Sequence, residues 1–173
     1  MKIRKAQVED FDTVMAILKD GRNQLAERGI DQWQGDYPNP DHVKEDIENG
    51  YAYLANSDDG ETVGTLTIIP APDHSYDNMD GEWLIDTDDY VTIHRVAIHS
   101  SHTGHGYASQ LYQAVIDYFK SGFSDIKSLR VDTHEDNKPM QYLITKSGFK
   151  RVGTLNGVYR ENEISYVYEM VTE

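Results

Sequence analysis

The run Thr103-Gly104-His105-Gly106-Tyr107-Ala108 has the residue types on this chain best suited to holding a ligand. Two glycines where a strand hands over to a helix let the backbone approach a ligand closely. The first-turn N–H groups of the helix then face whatever sits there. Such an end carries about half a positive charge and suits a phosphate, so the run predicts a bound phosphate-bearing cofactor. A dinucleotide fold wants G-x-G-x-x-G after the first strand, whereas this run follows a late strand and lacks the third glycine. A P-loop needs Gly-Lys-Ser or Gly-Lys-Thr, and the chain has neither. His99, His102 and His105 crowd the same loop. As titratable supplements to the helix end, they would tighten binding of an anionic ligand below about pH 6.5, against the alternative of three solvated loop residues.

The elements that must position this loop are legible in the apolar pattern. Val91, Ile93, Val96, Ala97 and Ile98 mark a strand over 91–98. Ala108, Leu111, Tyr112, Val115, Ile116 and Phe119 follow i, i+3, i+4, i+7, i+8, i+11, the stripe of an amphipathic helix. Upstream, Lys2–Ala6 alternates as a first strand. Glu9 and Asp10 open a helix with Phe11, Val14, Ile17, Leu18 and Leu25 on one face, and a second helix is expected over 41–49. Two strands over 51–55 and 61–70 flank the turn residues Asn56-Ser57-Asp58-Asp59-Gly60. The acidic, turn-rich segment 71–89 reads as a surface excursion that Trp83 docks or uses to line a substrate mouth. Then come a strand over 127–133, a helix opened by Asn137-Lys138-Pro139 and stopped at Gly148, and strands near 151–159 and 164–170. The order β-α-α-β-β-β-α-β-α-β-β predicts an α/β fold, a mixed sheet with helices packed on it.

The chain of 173 residues is long enough for one domain spanning 1–173. Its 38% hydrophobic content argues for a globular core. There is no cysteine, so neither disulfides nor a thiolate metal site is available, and no metal is expected. Met1 runs directly into Lys2-Ile3-Arg4, and no apolar run approaches a membrane span; a cytoplasmic protein without membrane contact is expected. A formal net charge of −14 argues against nucleic-acid binding, which needs a basic footprint. The same charge would attract a cationic small molecule.

The loop, the later residues Asn137 and Gly148-Phe149, and the element order resemble the GNAT-type N-acetyltransferases from end to end. The family's loop reads Arg/Gln-x-x-Gly-x-Gly/Ala; Gly106 and Ala108 match it and Thr103 departs. The resemblance implies an acetyl-CoA-dependent N-acetyltransferase with splayed central strands, acting in a ternary complex on a primary amine of a small molecule or peptide. It further implies that Thr103, Gly104, His105, Gly106, Tyr107 and Ala108 hold the pyrophosphate. The backbone of Val96, Ala97 and Ile98 would pair with the pantetheine arm, and Asn137 would contact the cofactor. A homodimer is implied by resemblance alone.

Two departures bear on mechanism. The carboxylate that many members use as general base falls at Thr92, and their thiolate-protonating tyrosine falls at Ile144. Tyr142 lies about 200° round the helix from that position. Strand alternation puts Thr92, His94 and Val96 on one face, which makes His94 the candidate base, against the alternative of a buried histidine bonded to backbone. His134 is a second candidate, against the alternative of a surface histidine in an acidic loop with Asp132, Glu135 and Asp136. An amide of the strand, that of Ile98 or a neighbour, would polarise the carbonyl. Trp33, Tyr37 and Trp83 are the candidate acceptor-binding residues, since aromatic rings beside carboxylates can enclose a cation; Trp33 could instead only pin its loop. A non-catalytic acyl-CoA sensor of the same fold stays open as the alternative function. An acidic interaction domain without cofactor is a third.

Overall fold

The computed structural model describes residues 1–122 and 125–172. The chain gathers into two compact units, one of Met1–Ile68 with Arg95–Ala114 and one of Ile69–His94 with the chain from Val115 onward. The elements are β1 (Lys2–Lys5), α1 (Phe11–Glu27), α2 (Pro40–Glu48), β2 (Ala52–Asn56), β3 (Thr62–Pro70), β4 (Asp80–Gly81), β5 (Tyr90–Ile98), α3 (Tyr107–Gly122), β6 (Ser128–His134), α4 (Lys138–Lys146), β7 (Lys150–Asn156) and β8 (Ile164–Val171). The strands of the second unit form a mixed sheet, parallel between β5 and β6 and antiparallel beyond. Among the described residues no helix is long and apolar enough to cross a membrane.

In the first unit β1, β2 and β3 pair antiparallel, with Lys2 opposite Asn56 and Ala52 opposite Thr67. The turn between β2 and β3 closes through Gly60, whose φ of 88° only glycine adopts without strain. Val14, Ile17 and Leu18 of α1 and Val43 and Ile47 of α2 bury against Ala6, Ala52, Leu54 and Ala97. Glu9 and Asp10 form a separate 3-10 turn ahead of α1, because the Asp10 carboxylate turns back to accept from Gln7 N–H and Arg4. Asn39 caps α2 by accepting from His42 N–H at 3.1 Å. A Cβ on Gly64 would lie 2.7 Å from the Ala97 carbonyl oxygen, so β3 passes the end of β5 closely only because residue 64 is glycine.

In the second unit the strand order is β5, β6, β8, β7, β4. β5 and β6 are parallel, and their register stops at Ile93 opposite Val131 although β6 continues to His134. β6, β8 and β7 then pair antiparallel along their lengths. The expected surface excursion over 71–89 is corrected in two respects. Its residues Asp80–Gly81 form β4 against β7, and Asp73 and Tyr76 are buried. Tyr76 packs with Leu155 and Val167 and with the half-buried Met79, Trp83 and Val152. An acidic, turn-rich composition reports average polarity, and a single buried aromatic is enough to carry such a segment inward.

Candidate active site

The last paired residues of β5 and β6 are Ile93 and Val131, and the next residue on each strand carries a titratable side chain. His94 and Asp132 are both enclosed, their side chains 6% and 5% exposed. Thr92 and His94 share one face of β5, as alternation requires, and both reach the same oxygen. Thr92 Oγ1 donates to Asp73 Oδ2 at 2.6 Å, and His94 Nε2 lies 2.6 Å from it. Asp73 Oδ1 accepts from Ser75 N–H at 3.0 Å and from Ser75 Oγ. Burial alone would raise the Asp73 carboxyl, but the bond and charge of His94, with Ser75 and Thr92, hold it far below the usual carboxylate range. An ionised carboxylate only accepts, so the His94 proton on this side is fixed at Nε2.

The other ring nitrogen, Nδ1, lies 3.7 Å from Asp132 Oδ1. That oxygen accepts from Tyr76 OH at 2.7 Å and from Tyr159 OH at 3.0 Å. Burial pushes the Asp132 carboxyl above 3.8, the neighbouring Asp73 adding to this and His94 and the two hydroxyls opposing it. The Tyr76 ring stacks on His94 at 6.0 Å between centroids and meets Trp83 edge-on at 5.6 Å. Asp73, Tyr76, Asp132 and Tyr159 are the members that sequence reading missed. The signal that could have found Tyr76 is its company with Trp83, two large aromatics in a mostly polar segment.

His94 is therefore buried, as the alternative of a buried histidine required, but its partner is a carboxylate and not backbone. The alternation does not extend to Val96: Arg95 has a left-handed φ of 53°, which breaks the period of two. His134 is 5% exposed, which corrects the surface reading. Its Nδ1 accepts from Asp136 N–H at 3.0 Å, which puts its proton on Nε2. Trp83 packs against Arg130, which lies 3.7 Å above its ring and 3.9 Å above that of Tyr90, while facing the fully buried Glu169 at 3.6 Å. Ile144 is fully buried and Tyr142 is exposed.

In the first unit, Gly104 and Gly106 have φ of 85° and 72°, and a Cβ on either would meet nothing within 4 Å. Residues 103–106 are exposed and α3 starts at Tyr107. This is open backbone running into a helix N-terminus, which fits the phosphate-bearing cofactor that the sequence implies. Of the three loop histidines, His99 lies 3.6 Å from Asp20 and His102 lies 3.7 Å from Glu61, while His105 stacks on Tyr107 at 5.4 Å. The Ile98 carbonyl accepts from Gln24 Nε2 at 2.8 Å. Trp33, itself at φ 65°, packs on the core of α1 and α2. Tyr37 OH accepts from Arg95, whose guanidinium grips Asp46 of α2 with two bonds of 2.8 Å. In the second unit, Asn137 caps α4 by accepting from Met140 N–H at 3.2 Å.

The acetyltransferase (GNAT) family profile matches residues 19–149, and the chain belongs to this family of acetyltransferases. Among solved structures it is similar to a GNAT-family acetyltransferase from Streptococcus agalactiae 2603. That likeness has 31% identity and a TM-score of 0.86, covering 99% of this chain and 95% of that one. A GNAT-family acetyltransferase from Listeria monocytogenes 4b F2365 shares the fold at 21% identity and TM-score 0.73, covering 98% and 93%. So does the spermidine N-acetyltransferase from Vibrio cholerae in complex with CoA and spermine, at 14% identity and TM-score 0.70, covering 99% and 95%. No curated protein matches the chain.

Proposed function

We propose that the protein transfers an acetyl group from acetyl-CoA to a primary amine of a small cationic molecule or peptide, working as one domain over residues 1–173. The observation that carries the cofactor half is the exposed Gly104–Gly106 backbone ahead of α3, with space at both α-carbons. Thr103 to Ala108 would hold the pyrophosphate, and Val96 to Ile98 would run beside the pantetheine arm. When bound, acetyl-CoA supplies an activated acetyl thioester; the chain's own residues must orient the amine and remove its proton. An amine of ordinary pKa near 10 is almost wholly ammonium at pH 7, so the deprotonating group matters.

His94 and its carboxylates serve that step. Nε2 is committed to Asp73, so proton traffic passes on the Nδ1 side, toward Asp132. A cationic acceptor suits both this acidic cluster and the net charge of −14. The Vibrio cholerae relative of the same fold is named for such an amine. Thiol release from acetyl-CoA, measured against polyamines, aminoglycosides, amino acids and peptide N-termini, tests the reading. Turnover with at least one amine is expected. Tight CoA binding without turnover by any of them would replace the enzyme with an acyl-CoA sensor.

A further inference from the structure

The Asp132 carboxylate has one engaged and one open oxygen. Both tyrosine hydroxyls and the facing His94 Nδ1 converge on Oδ1. Oδ2 has no hydrogen-bond partner among the described residues, and it is not one of the polar atoms sealed from solvent without a partner. His94 is differently placed. Its Nε2 is occupied by Asp73 and its face by Tyr76, while its Nδ1 faces Asp132 Oδ1 at 3.7 Å, beyond hydrogen-bond distance. A substrate amine that meets the cluster has Asp132 Oδ2 as a carboxylate oxygen with no hydrogen bond to displace, whereas His94 Nε2 is already committed.

We infer that Asp132 Oδ2 is the atom that takes the proton from the acceptor ammonium, and that His94, pinned by Asp73, is a positioning residue behind it. This rests on the acetyl-transfer reading above. The Asp132 carboxylate accepts one proton from R–NH3+, giving the carboxylic acid and R–NH2. The nitrogen lone pair then forms the N–C bond of the amide, the acyl C–S bond breaks, and a second nitrogen proton goes to the departing sulfur. Asp132 returns its proton to water, directly or through His94 Nδ1. The groups facing this carboxylate are His94 and, behind it, Thr92 from β5, Asp73 and Tyr76 from the segment before β4, and Tyr159 from the loop after β7. A carboxyl kept more basic by its burial is the better proton acceptor. The two hydroxyls would fix which oxygen is presented.

Asp132→Asn keeps an acceptor for the tyrosines and removes the basicity. With the best amine found, its kcat should fall about 10²–10⁴-fold while the KM for acetyl-CoA holds, and the acid limb of the kcat/KM profile should disappear. His94→Gln should lose less and keep an acid limb. Side-chain nitrogen NMR of the apo protein from pH 4 to 9 supplies a readout independent of turnover. The His94 Nδ1 signal of the wild type should show a step from the Asp132 titration, absent in Asp132→Asn. If the wild type turns over and Asp132→Asn retains its rate and its acid limb, this inference is wrong and the acetyl-transfer reading stands. A wild-type His94 signal with no such step overturns it even where the variant fails to fold. No turnover by the wild type with any amine ends the acetyl-transfer reading, and this inference with it.

Discussion

Replacing Asp46 by alanine isolates a pair on which the shape of β5 depends. Arg95 occupies the left-handed region at φ 53°, which costs a non-glycine residue about 1–2 kcal/mol. It is kept there by two 2.8 Å bonds to Asp46, by Tyr37 OH, and by the Tyr37 ring 5.4 Å from its guanidinium carbon. Both charged side chains are enclosed, 8% and 9% exposed. Asp46→Ala therefore leaves a buried guanidinium with a phenol as its remaining oxygen partner and also removes the 3.3 Å bond from Thr67 Oγ1. Breaking such a pair from one side costs about 3–5 kcal/mol. For a chain of this size each kcal/mol moves Tm by about 2–4 °C, so a drop of about 6–20 °C is expected by calorimetry at pH 7. The double variant Asp46→Ala, Arg95→Ala removes the orphaned charge, and its loss should be smaller than the sum of the two single losses by about 1–3 kcal/mol. A single-variant loss below about 1 kcal/mol, or strict additivity, would refute the idea that this pair holds Arg95 in its left-handed conformation.

The two carboxylates flanking His94 should respond to pH in opposite directions. Asp73 lies below its ordinary value of 3.8 when folded, so its contribution to stability is present above about pH 4 and is lost as pH falls through the folded value; Asp73→Asn should flatten the acid side of a Tm-against-pH curve. Asp132 lies above 3.8 when folded, so its contribution is full below pH 3.8 and is lost as pH rises through the folded value. Asp132→Asn should then raise Tm at pH 7 to 8 while lowering turnover, and a lower Tm there would contradict the burial argument. Gly106→Ala has space for its methyl but a φ of 72°; a stability loss of about 1–2 kcal/mol and a Kd for CoA raised about tenfold are expected by thermal shift and titration calorimetry. Trp83→Ala should cost about 2–3 kcal/mol through the lost Arg130 and Tyr76 contacts, with the Kd for CoA unchanged.

The resemblance to the acetyltransferase family and the element order could be taken from the sequence because both depend on local rules. The apolar stripe from Ala108 to Phe119 has one helical reading. Asn137 and Gly148 bracket α4 as a cap and a stop, and Gly104 and Gly106 stand where a loop needs positive φ. The short β4 was not legible, since two residues of strand carry no periodicity.

The chemistry around His94 was a matter for the tertiary structure. Sequence alternation put Thr92 and His94 on one face, yet nothing local says that Asp73, nineteen residues before Thr92, folds back to bind both. Asp132 looked like one more acidic loop residue. It became an enclosed, tyrosine-bonded carboxylate only when β6 ran on past its pairing with β5 and Tyr76 and Tyr159 closed over it. A local pattern reports which face a residue takes. Which partner waits on that face, and how dry the place is, are set by chain segments far away in sequence, and these decide the protonation state of a carboxylate.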